Sequence, residues 1–287
     1  MNLRARVKDK MLLAPGVYDA LTALIAEQAG AEAVYLSGAS IAYSRLGRPD
    51  IGLVSSTEVA DTIAVLRDRI SVPIIADADN GFGNALNVQR TVRMFERMGA
   101  NALQLEDQSM PKRCGHLQGK KLISKNEMIG KIHAALDARA SAETLIIART
   151  DAISVDGVNK AMDRAAAYSE AGADILFVEA PQSVDQMRAV VARFGDSIPL
   201  MANMVEGGFT PILPAEELGN MGFRLIIFPG GIARAMAVTA LDYYRNLLRT
   251  GSNTEFADKM LDFHGLNNLI GTNEMLTKGH KYGEETG

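Results

Sequence analysis

Four times along the chain a helical stretch stops at a glycine and a short apolar run begins a few residues later. Gly30 is followed by the run 33–36, Gly99 by 102–105, Gly172 by 175–178 and Gly222 by 225–228. A glycine stop and then an unbroken apolar run is how a helix returns to a strand buried on both faces. Apolar runs at 11–14, 72–76, 145–148 and 199–202 bring the strands to eight. Helical patterns separate them at 18–28, 56–70, 85–98, 125–140, 158–171, 184–194, 214–221 and 232–250. In the third, Val88, Val92, Phe95 and Met98 fall on one face. Ser56 or Thr57 is placed to cap the second helix, and Ser124 with Glu127 has capping-box spacing for the fourth.

Eight strands alternating with eight helices, without a linker between halves, predict one closed parallel (β/α)8 TIM barrel. The 287 residues exceed the roughly 250 that such a barrel needs. The expected domain is 1–287, with 251–287 a C-terminal helical extension that has one more helix at 256–270 and a polar, frayed or subunit-packed tail after Thr272. An open doubly wound sheet would need a phosphate loop after its first strand, and Ala14-Pro15-Gly16-Val17 is not one.

Composition narrows the function classes. With 47% hydrophobic residues, 22% charged residues and a net charge of −4, the profile is that of a folded protein without the basic surface of a nucleic-acid or membrane binder. No run approaches the roughly 20 apolar residues of a membrane span, and the charged start 1–10 lacks a signal core, so a cytoplasmic location is expected.

In a parallel barrel the site collects at the carboxyl ends of the strands. There the chain places Ser37-Gly38-Ala39, Asp77 and Asp79, Glu106 and Asp107, Arg149 and Asp151, Glu179, then Asn203 and Glu206. So many carboxylates in one bowl call for a cation, and an all-oxygen set suits Mg²⁺, with Mn²⁺ as the alternative. The four histidines lack zinc-site spacing. Asp77 and Asp79, one residue apart at a strand end, are expected to share a face. Gly81-Phe82-Gly83-Asn84 reads as a tight turn into the third helix. Lys112-Arg113-Cys114-Gly115-His116 lies where a lid would, and its cations are expected to favour the Cys114 thiolate.

These motifs, together with Gly47-Arg48-Pro49-Asp50, Ala148-Arg149-Thr150-Asp151 and the run 202–208, resemble the isocitrate lyase and phosphoenolpyruvate mutase superfamily over nearly the whole chain. Within it, the run 203–211 is more similar to the 2,3-dimethylmalate lyase type than to the 2-methylisocitrate lyase type. The resemblance implies a Mg²⁺ enzyme whose eighth helix is exchanged between subunits of a homotetramer, a dimer of dimers. It implies a metal held by Asp77 and Asp79 with Glu106 nearby. Substrate is then held by Tyr35, Ser37, Gly38, Ala39, Asp50, Arg113, Gly115, Arg149, Glu179 and Asn203, with Ala39 standing where glycine is frequent. Cys114, Glu106, Arg149, His116 and Lys112 form the implied catalytic set.

Superfamily members that cleave carbon–carbon bonds carry the Lys-Arg-Cys-Gly-His segment, and those handling phosphonates or decarboxylating oxaloacetate lack it. The expected activity is therefore retro-aldol cleavage of a 2-hydroxy acid to pyruvate or a related 2-oxo acid and a carboxylate. Cys114 would protonate the departing carbanion, with Lys112, Arg113 and His116 tuning the thiol. For the base, Tyr35, Glu106 and a water at the metal all stand. The substrate order is a 2-alkylmalate such as 2,3-dimethylmalate, then 2-methylisocitrate, then oxaloacetate for hydrolysis. Phosphonomutase or phosphonopyruvate hydrolase chemistry is the rival on the same barrel, and an inactive dicarboxylate-binding barrel is the rival from another class.

Overall fold

The computed structural model describes residues 2–283, which divide between Ala233 and Arg234 into two compact units. In the first, eight strands form a closed, all-parallel barrel: β1 (Leu12–Val17), β2 (Val34–Leu36), β3 (Ile74–Asp77), β4 (Ala102–Glu106), β5 (Leu145–Thr150), β6 (Ile175–Val178), β7 (Leu200–Asn203) and β8 (Leu225–Phe228). Closure is made by β1 on β8, with Leu12 opposite Leu225. The four glycine stops sit at φ of +96°, +102°, +95° and +127°, backbone that a side chain rarely adopts.

Alternation along the strands creates two cores. Val34, Leu36, Ile74, Leu103, Leu105, Ile146, Leu176 and Ile226 point outward under the helices. Leu12, Tyr35, Ile75, Ala102, Leu145, Ile147, Ile175, Phe177, Met201, Leu225 and Ile227 fill the interior. Two residues further along, the inward positions become Asp77, Arg149, Glu179 and Asn203, and on β4 the inward positions after Ala102 are Gln104 and Glu106. Strands β3, β4, β5 and β7 each run past their apolar stretch to carry such a residue, so these polar groups stand on rigid sheet.

Three local features differ from the sequence expectation. The charged start contains a helix, Leu3–Asp9, whose Leu3 and Val7 join the interior core at the amino ends of the strands and close the barrel floor. The helix Ser56–Arg69 is capped by Ser55, not by Ser56 or Thr57; Ser55 stands three residues before Glu58 and completes a reciprocal capping box. The 37–55 connection, expected without helix, holds a short helix, Gly38–Ile41, and a π-helical turn, Ala42–Leu46. Ser124 caps Lys125–Ala138 by accepting the Glu127 amide. Asn84, after the Gly81 turn, caps Ala85–Arg97.

In the first unit the outward face at β1 is uncovered. Leu13, Pro15, Ile25, Ala26 and Ile232 line a groove of about 460 Å³, and Leu13 is 42% exposed where a barrel strand is ordinarily roofed by a helix. The helix Gly231–Thr250 crosses the unit boundary and has no buried residue. In the second unit the expected helix 256–270 is instead a 3-10 turn, Thr254–Lys259, then Phe263–Ile270, then Thr272–His280. The break arises because Met260 is extended and Asp262 starts a new helix by accepting the Gly265 amide. Part of the tail expected to fray is therefore helical, and 284–287 lie outside the described residues. Among those described, no helix is long and apolar enough to cross a membrane.

The floor helix gives a direct test of the interior core. Leu3→Ala removes a buried side chain, and a cost of about 2–3 kcal/mol is expected. That lowers the melting temperature by roughly 5–10 °C. Turnover per folded molecule should not change, because Leu3 is at the opposite end of the barrel from the acidic bowl. A thermal melt beside an activity titration checks both.

Candidate active site

The bowl is organised around Arg149, at the upper end of β5. Its Nε donates to Asp151 Oδ2 at 2.9 Å and its Nη2 to Asp151 Oδ1 at 3.0 Å. Nη1 lies 3.2 Å from Glu106 Oε2 and Nη2 lies 4.0 Å from Glu179 Oε1. The guanidinium also stacks 5.2 Å from the Phe177 ring centroid. The two bonds to Asp151 fix the guanidinium plane, while Glu106 and Glu179 share its remaining edge more loosely.

Glu179, buried on the loop after β6, accepts from Asn203 Nδ2 at 3.2 and 3.3 Å and lies 3.1 Å from His116 Nε2. Burial alone would raise its pKa, but the Arg149 charge and the His116 contact hold it below the ordinary carboxylate value. Asp151 is likewise held down to about 2, since Arg149 and Lys120 outweigh burial.

The opposite side of the bowl is short of positive charge. Burial raises the pKa of Asp77, only partly offset by Lys112 and Arg149. It pushes Asp79 up to about 7, reinforced by Asp77 and Asp50 and opposed by Lys112. Glu106 lies well above its ordinary value for the same first reason, and its Oε1 is buried without a hydrogen-bond partner. Asp77 and Asp79 do converge, since a Cβ added to Gly38 would meet both carboxylates. They do not share a strand face, however: β3 ends at Asp77, and Asp79 reaches the bowl from a left-handed conformation, φ +47°, with its amide on Asp77 Oδ1 at 3.1 Å. Strain of that kind persists only where surrounding bonds enforce it.

These carboxylates fit a hard divalent ion, because such an ion supplies the missing charge and the orphaned Glu106 oxygen. Among the described residues no three His, Cys, Asp or Glu side chains converge into a shell. The fit is therefore to an ion carried by one or two carboxylates, with water and substrate oxygens completing its coordination, as Mg²⁺ commonly is.

The lid 107–123 is folded over the bowl and pinned to itself by Gln108, whose side chain bonds both the N–H and the C=O of Arg113. Lys112 Nζ lies 2.5 Å from Asp50 Oδ1 and 2.6 Å from Asp79 Oδ1. The Cys114 amide donates to Asp50 O at 3.2 Å. Gly115 sits so close to the bowl that a Cβ would lie 2.3 Å from Glu179 Oε1 and 2.5 Å from Arg149 Nη2. His116 accepts the Phe209 amide at Nδ1, 3.0 Å, and stacks on the Phe209 ring. That places its proton on Nε2, facing Glu179.

Several expected roles change. The Cys114 thiolate is not favoured: burial pushes the thiol above its ordinary value, and the neighbouring cations are engaged elsewhere. Lys112 serves Asp50 and Asp79, and Arg113 is exposed with its Nη1 on Gln118 O at 2.7 Å, outside the bowl. The His116 imidazole braces Glu179; toward the thiol it is the His116 backbone amide that acts, opposing the rise caused by burial without outweighing it. Tyr35 is a poor base, because its hydroxyl donates to Gln104 Oε1 at 2.6 Å and burial, with Asp77 nearby, raises its pKa far up. Gly38 N–H points to Asp77 Oδ2 at 3.3 Å, and Ser37 Oγ caps the short helix that holds the half-buried Ala39.

Sequence reasoning passed over Gln104, which links Tyr35 to Asp77 Oδ1, and the buried cations Lys120 and Lys131. Gln104 was legible as a polar residue at an inward strand position. Nothing in the sequence separated the two lysines from surface ones.

The phosphoenolpyruvate phosphomutase family profile matches residues 3–248. A 2,3-dimethylmalate lyase from Eubacterium barkeri is 41% identical, with 98% of this chain and 99% of that protein covered. A 2-methylisocitrate lyase from Aeropyrum pernix is 46% identical, with 92% and 84% covered. Among solved structures, oxaloacetate acetylhydrolase with the inhibitor 3,3-difluorooxalacetate has a TM-score of 0.93 at 32% identity, covering 100% of this chain and 97% of that one. A phosphonopyruvate hydrolase solved with oxalate and Mg²⁺ gives 0.88 at 28% identity, covering 98% of each.

The raised carboxyls set a pH signature. A folded-state pKa above the unfolded one contributes stability that is complete below the unfolded value and is lost as pH rises through the folded value, here about 7 for Asp79. Melting of chelator-treated protein should fall between about pH 5 and about pH 8, and Mg²⁺ should remove most of that fall. A melting temperature that is flat with pH, or unmoved by Mg²⁺, would contradict the charge-deficit reading.

Proposed function

Because the chain belongs to the phosphoenolpyruvate phosphomutase family, we propose that its bowl cleaves a carbon–carbon bond of a 2-hydroxy acid, releasing a 2-oxo acid and a carboxylate. The substrate is a 2-alkylmalate of the 2,3-dimethylmalate type, with 2-methylisocitrate second. The observation that carries this reading is the lid: Cys114 is tied by its amide to Asp50 O and is next to Gly115, which sits directly against Glu179 and Arg149 of the bowl, and burial raises its thiol's pKa. The two lyase relatives support the same chemistry.

Mg²⁺ at Asp77 and Asp79, with Glu106 beside them, would supply Lewis-acid polarisation of the 2-oxygen. The chain's own residues divide the remaining work. Arg149 offers its guanidinium to the substrate carboxylate, its plane fixed by Asp151. Glu179 holds Asn203 and His116 in register. Lys112, paired with Asp50, carries the lid to the Asp77 and Asp79 side of the bowl and helps to exclude water from a carbanion that must not be quenched at random. As the bond breaks, the 2-hydroxyl proton passes to Glu106, whose Oε1 has no partner of its own; Cys114 gives its proton to the departing carbon, and its elevated pKa keeps that proton available through neutral pH.

Oxaloacetate hydrolysis stands third, supported by the oxaloacetate acetylhydrolase likeness. The oligomer proposed is a homotetramer in which the helix Gly231–Thr250 of one copy covers the Leu13 groove of another. The uncovered groove and the helix without buried residues support it.

A panel of 2,3-dimethylmalate, other 2-alkylmalates, 2-methylisocitrate, oxaloacetate and phosphonopyruvate, assayed with Mg²⁺, is expected to release a 2-oxo acid fastest from the malates. Conversion of phosphonopyruvate alone would overturn the reading. Cys114→Ala should reduce kcat by about 100-fold or more, with Mg²⁺ binding by calorimetry intact. Leu241→Asp, in the apolar helix, is expected to shift the light-scattering mass below that of a tetramer.

A further inference from the structure

Lys120 is a buried cation of the lid that the catalytic reading leaves without a role. Its ammonium donates to Asp151 Oδ1 at 2.8 Å and to the carbonyl oxygen of Gly115. Asp151 is also the carboxylate that fixes Arg149 by two bonds. Its own amide is anchored to Asp107 Oδ1 at 2.9 Å. Asp107, fully buried, is held in turn by Thr150 Oγ1 and Tyr168 OH, both at 2.8 Å, and by Arg164 at 3.2 Å. A continuous chain of buried contacts therefore runs from the helix Val158–Glu170 through Asp107 to Asp151 and divides there. One branch ends on Arg149 in the bowl, the other on Lys120 and the lid.

Lys120 grips the lid at its most closely seated point. Gly115 lies against Arg149 and Glu179 with no room for a side chain, and Cys114 and His116 flank it. The other lysine tether behaves differently: Lys112 rests on Asp50 and Asp79 at the end where a divalent cation would compete for the same oxygens. Asp151 is not among the proposed metal carboxylates, so the Lys120 contact survives metal binding. It is also releasable. When Lys120 withdraws to water, Asp151 keeps both Arg149 bonds, and no charge is left buried alone.

We propose that Lys120 is a positioning residue, a latch that holds the lid shut and sets Cys114 over the bowl by sharing the carboxylate that orients Arg149. Only its consequence for turnover rests on the lyase reading.

The test compares full-length wild type with Lys120→Met, with Lys120→Gln as a second uncharged variant and Lys120→Arg as the conservative one, each with a melting temperature near that of wild type. Two readouts need no substrate: the rate of Cys114 alkylation by iodoacetamide, and the rate of tryptic cleavage after the exposed Arg113, followed by mass spectrometry. Loss of one charge-assisted contact should raise both by about tenfold in the uncharged variants, with and without Mg²⁺. Lys120→Arg should stay near wild type. In turnover, kcat should fall by a similar factor while Mg²⁺ affinity holds. Wild-type alkylation and cleavage rates in a folded Lys120→Met or Lys120→Gln protein would overturn the latch. A wild type inactive on every 2-hydroxy acid would instead sink the lyase reading and leave the two lid readouts to decide the latch.

Discussion

The Arg149 guanidinium is buried among Asp151, Glu106 and Glu179, and the geometry of the bowl follows from how that one cation is shared. A buried charge is tolerated only with its partners in place. Asp151 takes the bidentate share and stays ionised. Glu179 takes a weaker share, supplemented by Asn203 and His116. Glu106 receives one contact at 3.2 Å and keeps an orphaned oxygen. The gradient is chemical as well as geometric: Asp151 and Glu179 are acidic, whereas burial raises Glu106 in spite of its single contact and pushes Asp79, farther from the guanidinium's partners, up to about 7. One side of the bowl thus holds carboxylates matched by positive charge, and the other holds carboxylates short of it.

The lid closes this arrangement from above with the same charges. Lys112 reaches the electron-rich side, Lys120 reaches Asp151, and His116 reaches Glu179. Between these attachments the backbone of Gly115 approaches the guanidinium too closely for any other residue. Cys114 is therefore set by its neighbours' electrostatics, while burial raises its own thiol's pKa and favours the protonated form.

Much of this was legible in the sequence because strand alternation is strict. Once Ile75, Ile147, Phe177 and Met201 are assigned inward, Asp77, Arg149, Glu179 and Asn203 must point into the same space two residues later. The capping of Ser56–Arg69 was misplaced by one residue because three consecutive hydroxyl residues compete, and only the distance to Glu58 distinguishes them. Where residues act across the fold, local pattern fails. Lys120 meets Asp151 across 31 positions, and Lys112 meets Asp50 across 62. The direction of Arg113 depends on a turn closed by Gln108 and Gln118. The floor helix Leu3–Asp9 was hidden because two apolar residues among charges make no visible stripe until the barrel supplies the surface they cover.

The central claim is that a lid thiol protonates the leaving carbon from a fixed direction. Cleavage of 2,3-dimethylmalate in D₂O addresses it most directly, with the carboxylate product analysed for deuterium and configuration. A single deuterium in one configuration, lost together with turnover in Cys114→Ser, is the predicted result. Scrambled configuration in wild type, or an unchanged stereospecific label in Cys114→Ser, would contradict it.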